Sequence, residues 1–195
     1  MPTLGPVRIA RFLSDFELAH PGVEVAVSEG RTAELGAGLE ADSLDVAILN
    51  PFDSVADSFR IEQLYVERYV VILPPGHALK ESDAVSLSNL AGLPYVDRLA
   101  REMREMVMQV CGSRRVSLYA RFRSEREDWV QAMVAASLGF AFMPEHSVTY
   151  PGSIQRPLVD PPLQRSIALM SKRGRPHQPA VESFMRAARA HRWLG

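Results

Sequence analysis

Across 195 residues the side chains able to do covalent chemistry are few and scattered. A hydrolase needs a nucleophile beside a base, and the best-placed hydroxyl is Ser137, in Ala136-Ser137-Leu138-Gly139. It lacks the glycine that precedes the serine of a nucleophile elbow. It also closes a helical pattern ahead of a strand, the reverse of the order that elbow requires. Five histidines, His20, His77, His146, His177 and His191, are spread along the chain, none at a metal-binding spacing with a cysteine or carboxylate. Asp45, Asp53 and Asp57 are close in sequence, but Asp45 precedes an apolar strand pattern while the other two fall in a loop, so no paired acid and base follows. Gly36 and Gly38 lie inside a helical pattern, and no further glycine completes a phosphate loop. The expectation is therefore no catalytic residue, no metal site, no cofactor and no enzyme.

Composition narrows the function further. Twenty-two basic side chains balance 23 acidic ones, for a formal net charge of -1. Autonomous duplex binding usually relies on a basic surface that displaces phosphate counterions, so this chain alone should bind DNA poorly. The basic stretch Arg114, Arg115, Arg121, Arg123 and Arg126 is answered by Glu125, Glu127 and Asp128 and reads as a solvated face. The single cysteine, Cys111, rules out an internal disulfide and fits a reducing compartment. It ends an apolar helical pattern and reads as a small buried hydrophobe. No apolar run reaches the roughly 18 residues of a membrane span, and the N-terminus lacks a basic-then-apolar secretory layout, so a cytoplasmic protein is expected.

The elements that would position any site follow from periodicity. Ile9, Phe12, Leu13 and Phe16 recur at helical spacing between Pro6 and Ala19, and His20, Pro21 and Gly22 end that helix. Val23, Val25 and Val27 alternate as a half-buried strand. Thr32 can cap a helix carrying Leu35 and Leu39, and Leu44 to Leu49 is a short apolar strand stopped by Asn50 and Pro51. Strand, helix and continuous apolar strand suggest a parallel sheet covered on both faces. The rhythm restarts with a strand at Tyr69 to Leu73, a helical turn at Leu87 to Leu90 and a strand from Pro94. A helix through Met103 to Val110 and an alternating strand at Val116 to Phe122 follow. Ser124 with Glu127 has the form of a capping box, opening a helix that runs to Leu138 before Gly139. Phe140 to Met143 and Ile167 to Met170 read as strands, Pro157 to Pro162 as a connector, and Val181 to Ala188 as a last helix.

An ordered series of short pieces carries a family resemblance. It comprises Pro2-Thr3-Leu4-Gly5-Pro6 before the first helix, His20-Pro21-Gly22-Val23-Glu24-Val25, Glu29-Gly30-Arg31-Thr32, and Leu44-Asp45-Val46-Ala47-Ile48-Leu49. Pro74-Pro75-Gly76-His77-Ala78-Leu79, Leu87-Ser88-Asn89-Leu90-Ala91-Gly92 and the run from Met133 to Pro144 continue it. Over nearly the whole chain this order resembles the effector-binding domain of LysR-type transcriptional regulators. The resemblance implies an α/β architecture of two Rossmann-like lobes joined by two crossover strands, as in type 2 periplasmic binding proteins. The crossovers would lie near 66–72 and 163–170, with lobe I formed by 1–69 and 166–195 and lobe II by 70–165. The family carries a winged helix-turn-helix, a linker helix and a first sheet strand ahead of this region. The expectation is thus no DNA-binding domain in this chain and a lobe I without its first strand. Peroxide-sensing members use two cysteines, so a lone Cys111 argues against a disulfide switch.

Carried over by position, the resemblance implies a ligand site between the lobes lined by Thr3, Leu4 and Gly5; by Arg31 and Thr32; by Asn50; by Val96, Asp97 and Arg98; and by Ser124 and Glu125. Unpaired amides at helix starts favour an anion. A small-molecule effector, a carboxylate, is the expected partner, with Arg31 and Arg98 able to pair it bidentately. Thr32 and Ser124 read equally well as plain helix caps. The expected function is an effector-sensing regulatory domain that controls transcription. It would form a homodimer or tetramer in which the first helix of one copy lies against the partner's helix near 125–138, and would reach DNA only through the absent N-terminal domain. The alternatives are a free-standing solute-binding receptor for transport and an enzyme on a similar two-lobed scaffold.

Overall fold

The computed structural model describes residues 4–51, 57–99 and 101–193. The chain divides into two compact units, Met1–Glu67 with Arg165–Gly195, and Arg68–Gln164. The chain passes between them within two strands, β2 and β7 below.

The first unit opens with α1 (Pro6–Ala19), as its periodicity predicts. Phe12 and Phe16 are buried, and Ile9 and Leu13 pack beside Phe12. Pro6 at the first helical position removes an amide that would have had no intrahelical partner. α2 (Thr32–Glu40) sets Leu39 into a cluster with Ala47, Leu49, Phe59 and Met170. β1 (Ala47–Leu49) pairs antiparallel with β7 (Gln164–Lys172), and α5 (Pro179–Ala190) lies against α1. Phe12 meets Phe184 edge-on at 5.1 Å and Trp193 at 5.0 Å, and the Trp193 indole N–H donates to the Ala188 carbonyl at 2.8 Å.

The expected strand at Val23–Val27 does not form. That segment carries no regular secondary structure, and Val25 and Val27 are 37% and 63% exposed. An alternating pattern needs a neighbouring ladder to become a strand, and none pairs with it among the described residues. Among the described residues β1 is joined to β7 in antiparallel register, not to a parallel neighbour as strand-helix-strand order suggested.

β2 (Phe59–Leu73) is much longer than the apolar run that announced it. Its first half is interrupted by Arg60 and the adjacent Glu62 and Gln63, which hides a strand from a hydrophobicity reading. In the second unit β2 runs between β5 (Ala141–Pro144) and β6 (Ile154–Pro157), antiparallel to both. Tyr69, Val71 and Leu73 face one core cluster while Val70 and Ile72 face another. The continuous apolar run is thus explained by burial on both faces.

β3 (Pro94–Arg98) and β4 (Tyr119–Ser124) are parallel and connected through α3 (Arg101–Arg114), a β-α-β unit as predicted. A bridge ties β3 to the start of β5. The Phe140 amide donates to the Pro94 carbonyl at 3.0 Å, and the Val96 amide to the Phe140 carbonyl at 2.8 Å. α4 spans Glu127–Ala135, shorter at both ends than the sequence suggested. Its N-cap is Arg126, and Ser124 instead turns the chain ahead of the helix by accepting the Arg126 amide at 3.1 Å. At the other end Ser137, not Gly139, takes the left-handed conformation that closes the helix, with φ 63°. The Leu138 amide returns to the Met133 carbonyl at 3.0 Å, which completes the closing turn.

Candidate functional site

The structure sorts the expected site residues by what their local folding leaves available. Thr3 lies outside the described residues. Leu4 is half-buried and packs on the Phe12 cluster. Gly5 is buried as the N-cap of α1, where its carbonyl accepts the Arg8 and Ile9 amides at 3.0 and 3.2 Å. With Pro6 carrying no N–H, this helix start offers an anion little, contrary to the expectation from the dipole alone.

At α2 the cap is Arg31 and Thr32 is the first helical residue. The Arg31 amide donates to Glu34 Oε2 at 2.7 Å, so a carboxylate of the chain's own already faces this positive helix end. Arg31 is exposed, Thr32 half-buried, and Asn50, just past β1, is 8% exposed.

In the second unit Val96 and Arg98 are both buried. Val96 is fully buried and packs with Val130 and Val134 in the core. Arg98 is 1% exposed and ion-paired to Glu127 at 3.0 Å. A guanidinium so held is not an open clamp for a ligand carboxylate, because withdrawing it would leave Glu127 behind as an uncompensated charge. Glu127 lies beside Arg98, and α4 starts at Glu127 with Arg126 as its N-cap, not with a capping box on Ser124. Ser124 is half-exposed and Glu125 exposed.

Asp97 is also buried, and its surroundings are the most distinctive polar arrangement in this unit. The Tyr95 hydroxyl donates to its Oδ1 at 3.2 Å, and Arg104 Nε donates to its Oδ2 at 2.9 Å. Arg123 Nε lies 3.8 Å from the same Oδ2. The fold explains the meeting. Tyr95 and Asp97 are two apart on a strand and share a face, while Asp97 and Arg123 are register partners across β3 and β4. Arg104 reaches back from the first turn of α3. Burial, then the charge on Asp97, pushes the Tyr95 phenol far above its ordinary range, so it stays a hydrogen-bond donor. The hydrogen bond to Asp97 raises the Arg104 guanidinium in turn. Sequence reasoning named Asp97 but missed both arginines. Only the i, i+2 spacing of Tyr95 and Asp97 was visible beforehand.

An open pocket of about 310 Å³ in the same unit is lined by Pro74, His77, Pro94, Ser137, Gly139 and Phe140, none of them an expected site residue. His77 Nδ1 accepts the Leu79 amide at 3.1 Å, and burial lowers the pKa of this ring. No group of three or more His, Cys, Asp or Glu side chains able to hold a metal occurs among the described residues. No helix among them is long and apolar enough to cross a membrane.

The description of the LysR substrate binding domain fits residues 1–193, nearly the entire chain. The chain belongs to this LysR family. It is 26% identical to the hydrogen peroxide-inducible genes activator of Dickeya chrysanthemi over 201 residues, covering 100% of this chain and 65% of that protein. This LysR domain thus spans less than two thirds of such a relative's length. Among solved structures it is similar to the C-terminal domain of a probable LysR family transcriptional regulator from Rhodococcus sp. RHA1. That match has a TM-score of 0.84 and 25% identity, and covers 96% of this chain and 94% of the other. It also matches the effector binding domain of QuiR in complex with shikimate, with a TM-score of 0.82, 18% identity, and coverage of 97% and 92%. The architecture is therefore the type 2 periplasmic-binding-protein-like α/β fold of LysR effector-binding domains.

Proposed function

We propose that this chain is the effector-sensing domain of a LysR-type transcriptional regulator, taking a small organic anion and passing its presence to a DNA-binding domain elsewhere in the full protein. The observation that carries this reading is the match of the LysR substrate binding domain over residues 1–193, together with two compact units linked through two strands. The proposed lobes are these two units, and the proposed ligand contacts are Arg31, Thr32 and Asn50 in the first unit and Ser124 and Glu125 in the second.

A ligand regulates such a domain only through its different affinity for two arrangements of the lobes, so binding without turnover is the expected chemistry. The scattered histidines and the serine outside any nucleophile elbow support a sensor over an enzyme. The lone Cys111 is 3% exposed and burial pushes its thiol pKa up, which speaks against the disulfide route to peroxide sensing within these 195 residues. The proposed setting is cytoplasmic.

The proposed assembly is a homodimer. Val7 and Leu18 on α1 are 69% and 80% exposed, and Trp129 on α4 is 55% exposed, which supports the family's pairing of these two helices between copies.

A thermal-shift screen of small organic acids, followed by calorimetry and a turnover assay, tests the reading. Saturable binding with no product is the expected result. Product formation would refute the sensor in favour of an enzyme, and an export signal encoded upstream in place of a helix-turn-helix would favour a transport receptor.

A further inference from the structure

We propose that Arg104 and Arg123, tethered on the buried carboxylate of Asp97, form a seat for an oxyanion of the ligand, either carboxylate or phosphate. The proposal rests on the effector-sensing reading and deepens it by moving the anion contact from Arg98 to this pair.

Charge is the first argument. Two guanidinium groups converge on a single carboxylate oxygen, Asp97 Oδ2, at 2.9 and 3.8 Å, which leaves one positive charge unanswered within the cluster. The neighbouring Arg98 is ion-paired to Glu127, and the exposed Arg126 to Asp128. Of the other carboxylates on α3 and just after β4, Glu102, Glu105 and Glu125, the last two have partners of their own. Geometry is the second argument. Arg104 and Arg123 each meet Asp97 through Nε, on one edge of the guanidinium, and their terminal nitrogens have no hydrogen-bond partner among the described residues. Their side chains are 43% and 57% exposed while Asp97 is 3% exposed, so the carboxylate forms the floor and the two cations form the open rim.

Preorganisation is the third argument. The Tyr95 hydroxyl fixes Oδ1 from below. Register pairing fixes Arg123 opposite Asp97. Long side chains already held on one edge lose less rotamer freedom when an oxyanion arrives, and a planar guanidinium matches carboxylate or phosphate oxygens in pairs. Asp97 acts here as a positioning residue, and the arginines are the binding residues.

The test is calorimetry on the 195-residue chain at fixed ionic strength, with inorganic phosphate, citrate and a neutral sugar as probes. Phosphate or citrate should bind, and the two arms show which oxyanion is preferred. Arg123→Gln and Arg104→Gln should each weaken that binding about tenfold or more. Arg121→Gln, two residues away on β4 and also exposed, should leave it unchanged. Asp97→Asn should weaken it too, although this change makes the seat more positive, a fall that attraction by net charge would not produce. The seat is overturned if neither anion binds, if the three arginine variants behave alike, or if Asp97→Asn tightens binding. Binding of the neutral sugar alone would remove the seat and leave the sensor reading standing. Exposed Arg123 keeps the test sound should Asp97→Asn fail to fold.

Discussion

Replacing Gly139 by alanine should be among the most damaging single-methyl changes in the second unit. A Cβ built on Gly139 would lie 2.5 Å from the Pro94 carbonyl oxygen, 2.8 Å from its carbon and 3.1 Å from the Tyr95 nitrogen. All three are backbone atoms, so no side chain can swing away. Relief requires β3 and β5 to part by about 0.5 Å or more, enough to break good geometry in the Phe140 to Pro94 and Val96 to Phe140 hydrogen bonds, now 3.0 and 2.8 Å. Each such buried bond contributes about 1 kcal/mol. Gly139 also has φ 152°, a region that only glycine occupies without strain, and forcing a side-chain residue there adds about 1–3 kcal/mol. The expected loss is about 3–5 kcal/mol. Gly152→Ala is the control, since Gly152 has φ 74° with no atom within 4 Å of its added Cβ, and should lose only about 1–2 kcal/mol. Urea unfolding followed by far-ultraviolet circular dichroism measures both. If the two variants unfold within about 1 kcal/mol of each other, the close approach of Gly139 to β3 is not what holds this bridge.

Four further outcomes are expected. The Arg165–Glu67 pair is 2% and 0% exposed. Arg165→Met alone should therefore lose about 3–5 kcal/mol by stranding a buried charge, while the double variant with Glu67→Leu recovers most of it in the same urea assay; equal losses would refute the coupling. Ser137→Gly should stabilise the chain by about 1 kcal/mol, because Ser137 pays for φ 63° that glycine adopts freely, and a lower urea midpoint would contradict this. Burial, reinforced by the charge on Glu67, pushes the Tyr65 phenol from 10.0 up to about 12. Below pH 10 the proton is present in folded and unfolded chains alike; between pH 10 and 12 only the folded chain keeps it, so stability should fall across that window and less so in Tyr65→Phe. Cys111, buried and with a raised pKa, should react with a disulfide reagent far more slowly in the native chain than in urea; equal rates would place the thiol at the surface.

The elements whose apolar residues pack on one face or on both were legible in the sequence. Phe12 and Phe16 at helical spacing placed α1, and the unbroken run Tyr69 to Leu73 announced a strand covered on both sides. The absence of a serine elbow and the lone cysteine limited the chemistry before any fold was known. Partnership was decided only by tertiary structure. Val23, Val25 and Val27 alternate as a strand should, yet a ladder needs a neighbour and the segment has none among the described residues. The family resemblance suggested Val96, Asp97 and Arg98 as three consecutive ligand contacts, but successive residues of a strand face opposite sides. Val96 turns to the α4 core and Asp97 to Arg104 and Arg123, while Arg98 is held by Glu127. Those arginines lie 7 and 26 positions beyond Asp97 in the chain, a distance that local pattern cannot span and that a parallel register and a crossover helix close.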